Sequence, residues 1–388
     1  MKDNVANIQD FLAAAIRNEP RHWPEAWTGK RVQDRVLEAV LYHGLAGLLF
    51  EKTGCFEGWP KGLVATLHKQ AIARAMWEMR HRIVVSDLLA TLAKARIAPL
   101  ILKGTAVAYD LLSCPGSRTR GDTDLLVAKT DLAQVRSVLW ALGFRPDYAE
   151  HPRCDSTSRQ QGWTFYCPDG TFHSIDLHWQ VMNSPALQNL LTFSECSAVS
   201  INLPRLSTNA RAMDRVHNLI HTCMHRAMHF TAPYLVDGAI YYGGDRLIWV
   251  HDIHLLATSL SEEQWTRLCA LADKKGVSAV CLDGLMTAQR SLITPIPNWV
   301  CDELRATSRK SQATKYLLHS RQFERAWRDL LAVRGLRNKL DYLLARGLPS
   351  PAFLRNKYPS MTMIPLPLLY ARRILELVRV RRGRNEAR

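Results

Sequence analysis

The stretch Arg120-Gly-Asp-Thr-Asp-Leu-Leu-Val127 joins two closely spaced acids to a run of apolar residues. Residues 123–128 have the composition of a buried β-strand, and Asp122 and Asp124 stand where that strand begins. Side chains two residues apart in a strand point to the same face of the sheet. The two carboxylates therefore project together, and like charges at that distance repel unless a cation lies between them.

A divalent cation is the expected partner of this acid pair. Mg²⁺ prefers oxygen ligands and is commonly held by one or two carboxylates together with substrate phosphates. Asp176 lies in a further predicted strand, residues 172–180, and offers a third carboxylate. Three acids would complete a two-metal site for displacement at phosphorus. The three acids are therefore candidate ligands of a magnesium site, whereas on their own Asp122 and Asp124 could be a solvated strand start, and Asp176 an acid paired between strands.

Phosphate-binding groups are expected just upstream of the acid pair. Residues 97–102 predict a short buried strand, and residues 105–112 predict a helix. Gly104 and Thr105 stand at the junction, where backbone N–H groups, a hydroxyl and the helix dipole can hold a phosphate. The basic side chains that could neutralise the remaining charge of a triphosphate are Lys103, Arg118 and Arg120. Lys103 could equally extend from the strand end to solvent, and Arg118 and Arg120 could be loop charges. Nucleotide contact is favoured for Arg120, because it stands two residues before the acids.

The remainder of the chain predicts an α+β protein. Helical periodicity marks residues 8–17, 34–52, 63–94, 131–142, 210–230, 246–258, 262–275, 277–291, 320–344 and 368–380, and residues 162–167 predict another strand. We expect a small mixed-sheet core between helical flanks. The expected divisions are an N-terminal helical region (1–94), the core (95–182), a C-terminal helical domain (203–348), and a Pro-interrupted segment with a basic terminal helix (349–388).

The order of these motifs resembles an uncharacterised bacterial nucleotidyltransferase family of the DNA polymerase β-like superfamily. The resemblance rests on residues 102–106, 120–127, 142–144 and 175–179, with similar flanks at 42–50, 221–227 and 246–253. It implies transfer of a nucleoside monophosphate from an NTP, with ATP the expected donor, and two Mg²⁺ held by the three acids. Proteins of this kind are encoded beside polysaccharide or peptide-product biosynthesis genes, which implies a small-molecule, peptide or protein acceptor.

Two positions depart from the pattern of that superfamily. Gly104-Thr105 stands where Gly-Ser or Gly-Gly is usual, a change that keeps the hydroxyl. Asp176 stands where some branches have Glu, which reaches one methylene further. Neither departure removes a ligand, so we expect an active enzyme.

The charge of the chain is unevenly distributed. The formal net charge is +16, and residues 301–388 contain 20 Lys+Arg against 7 Asp+Glu. Such a stretch can attract nucleic acid, nucleotide phosphates or anionic lipid, or can simply be a solvated surface. An RNA-modifying, toxin-like transferase is therefore one alternative function. A non-catalytic nucleotide-binding scaffold in a biosynthetic complex is another.

Composition also indicates where the protein resides. No stretch has the roughly 18–20 uninterrupted apolar residues of a transmembrane helix, so we do not expect an integral membrane protein. The first residues contain acids and amides where a signal peptide has its apolar core, and we expect a cytoplasmic protein. The nine cysteines include no Cys-x-x-Cys pair, which gives no support to a zinc ribbon or a disulfide framework.

A row of histidines recurs every four residues at His217, His221, His225 and His229. This spacing places them on one face of a helix, so a metal site is conceivable. We favour a helix that packs on the core or lines the active-site cleft. By the same reasoning His178 is expected to be structural. Asp252 is a candidate to orient one of these histidines.

Overall fold

The strand that carries Asp122 and Asp124 lies at the centre of a seven-stranded mixed sheet with the order β3-β4-β5-β2-β1-β7-β6. A computed structural model of the chain describes residues 3–17, 19, 22–52, 56–147, 159–230, 233–236, 239–242, 244–308, 310–347, 351, 354–355, 358, 361 and 364–382. The sheet strands are β1 (Leu100–Ile101), β2 (Asp122–Leu126), β3 (Arg145–Pro146), β4 (Gln160–Tyr166), β5 (Phe172–His178), β6 (Ile201–Asn202) and β7 (Arg211–Ala212).

Helices surround this sheet and confirm the predicted α+β class. Those before the C-terminal bundle are α1 (Asp3–Ile16), α2 (Lys30–His43), α3 (Ala46–Glu51), α4 (Lys61–Lys94), α5 (Lys103–Leu111), α6 (Leu132–Ala141) and α7 (Phe193–Ala198). The bundle contains α8 (Arg215–His229), α9 (Leu247–Thr258), α10 (Glu262–Lys275), α11 (Ser278–Leu292) and α12 (Asn298–Ala306).

The C-terminal part of the chain adds further helices. They are α13 (Gln312–Thr314), which continues as a π-helix over Lys315–His319, then α14 (Gln322–Ala332), α15 (Leu336–Gly347) and α16 (Leu366–Arg382). A separate hairpin consists of β8 (Pro233–Val236) and β9 (Ala239–Tyr242), and no sequence pattern had indicated it. Among the described helices, none combines the length and the apolar character needed to cross a bilayer.

Glycine turns divide two segments that were predicted as single helices. Residues 34–52 are interrupted at Gly44 (φ 71°), and residues 320–344 are interrupted at Gly335 (φ 84°). Glycine adopts positive φ with little steric cost, so Gly44 caps the end of α2, whereas α14 ends at Ala332 and Gly335 lies just before the start of α15. The predicted helix 210–230 is also too long, because β7 occupies its first residues. That helix begins only after Asp214, whose Oδ1 accepts the N–H of His217 at 3.0 Å.

Other predicted elements are confirmed, with ends that differ by a few residues. The predicted strand 97–102 shrinks to Leu100–Ile101, and the N–H of Ile97 instead donates to the carbonyl of Leu92. Residues 262–275 form the predicted helix with the predicted bounds, fixed by a Ser261–Gln264 capping box and by Gly276. The Pro-interrupted segment 349–367 lies mostly outside the described residues.

Two hydrophobic cores meet along α4. The first joins helices from both ends of the chain, with Leu12 of α1 and Leu256 of α9 among its members. The second lies against the sheet and includes Ile101 and Ile175. The long helix α4 contributes to the first core through Leu67 and to the second through its C-terminal half. The sheet is thus held against a helical bundle built from distant parts of the sequence.

The end of α2 is tied to the start of α9 by two hydrogen bonds. Arg246 Nε donates to the Tyr42 carbonyl at 2.6 Å, and the Leu247 N–H donates to Nδ1 of His43 at 3.1 Å. A ring nitrogen accepts a hydrogen bond only when it carries no proton. Burial, and then the charge of Arg246, lower the pKa of His43 to about 3. His43 is therefore a neutral hydrogen-bond acceptor inside the fold.

Acid should weaken this joint, and the effect can be assigned to His43. Its folded-state pKa lies below the unfolded value of about 6.5, so the unfolded chain binds the proton first. The stability from neutral His43 is present above pH ~6.5 and is lost as the pH falls toward 3. His43→Gln should lower the pH dependence of the free energy of unfolding, measured by urea denaturation near pH 5–6, by up to about 1.4 kcal/mol per pH unit.

The matched control is His68→Gln, at an exposed histidine of α4. It should keep the pH dependence of the wild type. If His43→Gln kept that dependence as well, His43 would have to be charged in the folded protein.

Candidate active site

The register between β2 and β5 brings the predicted acids together. The two strands are parallel, and Asp124 lies directly beside Asp176. Asp122 is two residues before Asp124 and lines the same cavity. Thr123, between them, points to the opposite face, where it is fully buried. The alternation predicted from the sequence is therefore present, and all three acids face one cavity.

His178 belongs to the same group, which the sequence reasoning missed. Its Nε2 lies 2.9 Å from Oδ1 of Asp124. One ligand atom from each of Asp124, Asp176 and His178 lies within 4.8 Å of the other two, a spacing at which they could hold a metal ion. The sequence does contain a pattern that predicts this position. His178 stands two residues after Asp176 on β5, so the two side chains share one face of the strand. His178 therefore joins the three acids as a candidate ligand.

The carboxylates raise one another's pKa. Burial, and next the charge of Asp124, raise the pKa of Asp122 to about 6. Burial, and next the charges of Asp122 and Asp124, raise the pKa of Asp176 to about 8. The pKa of Asp124 is lowered, since Lys103 and His178 together outweigh its burial. Burial and like charge together thus disfavour the ionised forms of Asp122 and Asp176.

Lys103 supplies the cation nearest to these acids. Its Nζ donates to Oδ1 of Asp124. Burial would lower the pKa of Lys103, but Asp124, Asp122 and Asp176 together raise it above its usual value. Lys103 also has a φ of 51°, a left-handed conformation that costs a non-glycine residue about 1–3 kcal/mol. The Lys103 ammonium lies among the three carboxylates, in a position that a bound cation would also favour. Carboxylate oxygens are the ligands that a hard divalent ion prefers, so these residues fit such an ion.

The start of α5 forms one wall of the cavity. Gly104 is in such close contact with Arg118 that a Cβ there would lie 2.3 Å from the Cζ of Arg118. Asp252 of α9 holds that guanidinium, accepting from Nε at 3.1 Å and from an Nη at 2.5 Å. Asp252 therefore orients an arginine, and the expectation that it orients a histidine is wrong. Any side chain at position 104 would displace Arg118 from the helix terminus.

The hydroxyl of Thr105 is directed into the protein interior. Its Oγ1 lies 3.1 Å from the Oγ1 of Thr123, which lies 2.8 Å from Nε2 of His81. The Thr105 side chain thus connects α5 to β2 behind the acids. Lys103, Gly104 and Thr105 of this helix start border the cavity.

Arg120 also borders the cavity, and its guanidinium has an acidic partner on α4. One terminal nitrogen donates to Glu78, a buried carboxylate that also accepts the hydroxyl of Tyr109 at 2.6 Å. Burial, opposed by Arg120, raises the pKa of Glu78. Burial lowers the pKa of Arg120 even though Glu78 opposes the change. Forming such a pair costs much desolvation, but leaving either partner alone costs more.

The histidine row of α8 divides into two parts. His217 lies beside the N-cap, with its Nδ1 2.6 Å from Asp214 Oδ1. His225 and His229 line the cavity together with Thr222. Burial lowers the pKa of His225 well below its usual value and that of His229 to about 4, so both are neutral. The favoured prediction, a helix that packs on the core and lines the cleft, agrees with this placement.

These walls enclose a cavity of about 360 Å³. Volumes of this order are typical of sites for small molecules. The acids and the start of α5 lie on its sheet side, and α8 and α9 contribute His225, His229 and Trp249. The cavity therefore places a candidate metal group, a helix N-terminus and a polar aromatic wall around one space.

A family of uncharacterised nucleotidyltransferases matches residues 30–292, more than half of the chain. The chain belongs to this nucleotidyltransferase family. The matched region contains every cavity residue described above and ends before α12. No curated protein is significantly similar to the chain.

Binding of a divalent cation should be visible as a change in thermal stability. A ligand that binds only the folded protein stabilises it by about 2.7 kcal/mol at 100 times its Kd. We expect Mg²⁺ to raise the Tm above the value in EDTA at about pH 8.5, where the unprotonated acids repel one another. Asp176→Asn should raise the Tm in EDTA, because it removes one like charge, and should reduce the gain from Mg²⁺.

The control for this experiment is Asp87→Asn, at an exposed acid of α4. It should match the wild type in EDTA and in Mg²⁺. A full Mg²⁺ response in Asp124→Asn would place the cation at another site.

Removal of Glu78 should destabilise the fold more than removal of an exposed acid from the same helix. Glu78→Ala leaves the guanidinium of Arg120 buried without its carboxylate, so the free energy of unfolding should fall by about 3–5 kcal/mol. Asp87→Ala should change it by no more than about 0.5 kcal/mol. Urea denaturation measures both. A small loss in Glu78→Ala would mean that water reaches Arg120.

Proposed function

We propose that this protein transfers a nucleoside monophosphate from an NTP, with ATP as the first donor to test, to an acceptor hydroxyl, phosphate or amine. The observation that carries the proposal is the adjacent pair Asp124 and Asp176 in a nucleotidyltransferase-family chain. In this reaction the attacking atom of the acceptor forms a bond to the α-phosphorus. The bond from that phosphorus to the bridging oxygen breaks, and pyrophosphate leaves.

The acids are the proposed ligands of two Mg²⁺ ions, for which Mn²⁺ is the expected substitute. Asp122 and Asp124 would bind both ions, and Asp176 would bind the one nearer the acceptor. His178 would hold Asp124 in place through its Nε2 contact, or add a nitrogen ligand. When bound, the ions supply Lewis-acid stabilisation of the attacking and leaving oxygens.

The start of α5 is the proposed triphosphate site. Backbone N–H groups at a helix N-terminus are free to bind an anion, and the helix dipole favours negative charge there. Lys103 and Arg118 flank this terminus, and the guanidinium of Arg118 is held there by Asp252. Lys103 donates to Asp124, and we propose that it pairs with a phosphate once cations neutralise the acids.

Asp176 is the proposed acceptor of the proton that leaves the attacking group. It is partly exposed to the cavity, whereas Asp124 is buried and bound by two donors. This role therefore suits Asp176 better than Asp124.

The family order of motifs supports placement in the DNA polymerase β-like superfamily, and we propose an acceptor that is a small molecule, a peptide or a protein of a biosynthetic pathway. The proposed catalytic groups come from the core, residues 95–182. His225, His229 and Trp249 of the helical domain, residues 203–348, line the cavity and are the proposed contacts to the acceptor.

The decisive experiment supplies each α-labelled NTP and Mg²⁺ to the protein in cell extract and measures labelled product and pyrophosphate. We expect labelling with at least one NTP. Asp122→Asn and Asp124→Asn should reduce it by about 100-fold or more, because each removes charge that stabilises the transition state. Asp87→Asn should label like the wild type.

The outcome also separates the competing functions. Nucleotide binding without label or pyrophosphate would favour a non-catalytic scaffold. Label on RNA, with binding that weakens steeply with salt, would favour an RNA-modifying transferase and would agree with the basic C-terminal stretch.

A further inference from the structure

The helix α14 has its apolar and polar faces reversed. Its buried residues are Arg325 and Asp329. Trp327 and Leu331, four residues apart and therefore on one face, are 55% and 58% exposed. A surface helix of a globular protein normally turns its apolar stripe to the core and its charges to water. This helix does the opposite.

The buried charges of α14 are well satisfied, so the orientation of the helix is firmly fixed. Arg325 donates to the carbonyls of Tyr316 and Leu317 at 2.9 and 2.7 Å. Asp329 accepts the hydroxyl of Tyr316 at 2.9 Å and also accepts the hydroxyl of Ser184. Rotating the helix to bury Trp327 would break these hydrogen bonds. The hydrogen bonds of Arg325 and Asp329 therefore hold the apolar face of α14 toward solvent.

The next two helices also carry exposed leucines, each set on one face of its helix. The exposed leucines of α15 are spaced by four and then three residues, which places them on one face of that helix. The two exposed leucines of α16 are seven residues apart, so they also share one face. Their exposures are 88% for Leu336, 56% for Leu340, 51% for Leu343, 60% for Leu368 and 55% for Leu375. We call the seven residues Trp327, Leu331, Leu336, Leu340, Leu343, Leu368 and Leu375 the outer apolar row.

Basic side chains accompany the outer apolar row. Arg334 and Arg337 are exposed between its α14 and α15 members, and Arg372 is exposed between Leu368 and Leu375. Residues 301–388 together carry 20 Lys+Arg against 7 Asp+Glu. The family match ends at residue 292, so this surface belongs to a part of the chain beyond the matched region.

We propose that the outer apolar row and its basic neighbours dock on the surface of an anionic lipid bilayer. Helices with leucine and tryptophan on one side and arginine beside them lie in the bilayer interface, with the apolar side chains below the headgroups. The arginines are attracted to anionic headgroups. Nucleic acid would match the charge but not the leucines, since it is bound through phosphate contacts and aromatic stacking. The row therefore favours lipid.

The test is co-sedimentation of the full chain with vesicles. Vesicles of equal parts phosphatidylglycerol and phosphatidylcholine should bind the protein at least about tenfold more tightly than phosphatidylcholine alone, and salt near 1 M should remove most of that difference. Trp327→Ser and Leu340→Ser should each weaken binding by roughly tenfold or more, because each removes a large apolar side chain from the interface. Replacing Arg334 and Arg337 by Glu should weaken it at least as much.

The matched control is Ile83→Ser, at a 62% exposed apolar residue of α4. It should bind vesicles like the wild type. All the substituted side chains are exposed, so thermal melts should show that each variant remains folded.

Three results would overturn the proposal. One is failure of the wild type to bind anionic vesicles. Another is binding that Trp327→Ser and Leu340→Ser leave unchanged. The third is a dimer seen by analytical ultracentrifugation, or an RNA oligonucleotide complex, that accounts for the row while vesicles remain unbound. The vesicle assay needs no nucleotide, so its result is independent of the proposed catalytic function.

Discussion

The parallel pairing of β2 with β5 sets Asp124 beside Asp176, and this juxtaposition of like charges governs the surrounding structure. Without neutralisation the pair would repel strongly in a buried setting. Two side chains contact Asp124 and offset this repulsion. Lys103, whose backbone is left-handed, donates to Asp124, and His178 contacts it from the same face of the sheet. The strain at Lys103 persists because its neighbours hold the chain, with the N–H of Leu102 donating to the Asp124 carbonyl at 3.0 Å.

The other basic groups of the cavity follow the same rule of paired charges. Arg118 is held by Asp252 of α9, and Arg120 by Glu78 of α4. Each acid comes from a different helix, so the positions of the arginines depend on how α4 and α9 pack against the sheet. This arrangement keeps cationic side chains at the cavity without leaving a buried charge alone. It also allows Arg118 to face an anion from a fixed position, since Asp252 holds its guanidinium at two nitrogens.

Local patterns in the sequence predicted the parts of the site that depend on local geometry. The alternation of side chains in a strand was enough to place Asp122 and Asp124 on one face, and the same rule applied to β5 would have added His178. The partners Glu78 and Asp252 were beyond such rules, because they lie 42 residues before Arg120 and 134 residues after Arg118. The helix errors at Gly44 and Gly335 have another cause. The apolar period continues through each glycine, while the backbone turns there.

The distribution of these partners bears on what constitutes the site. A segment limited to the sheet and α5 would contain the acids but would leave Arg118 and Arg120 without their carboxylates. Gly104 shows the same dependence on α9. A side chain at position 104 would clash with Arg118 only because Asp252 of α9 holds the arginine against this glycine. The glycine, the arginine and the aspartate of the helical bundle form one unit, although only the first two are close in sequence. The bundle is thus part of the proposed phosphate-binding wall, and the packing of α4 and α9 against the sheet determines the shape of the cavity.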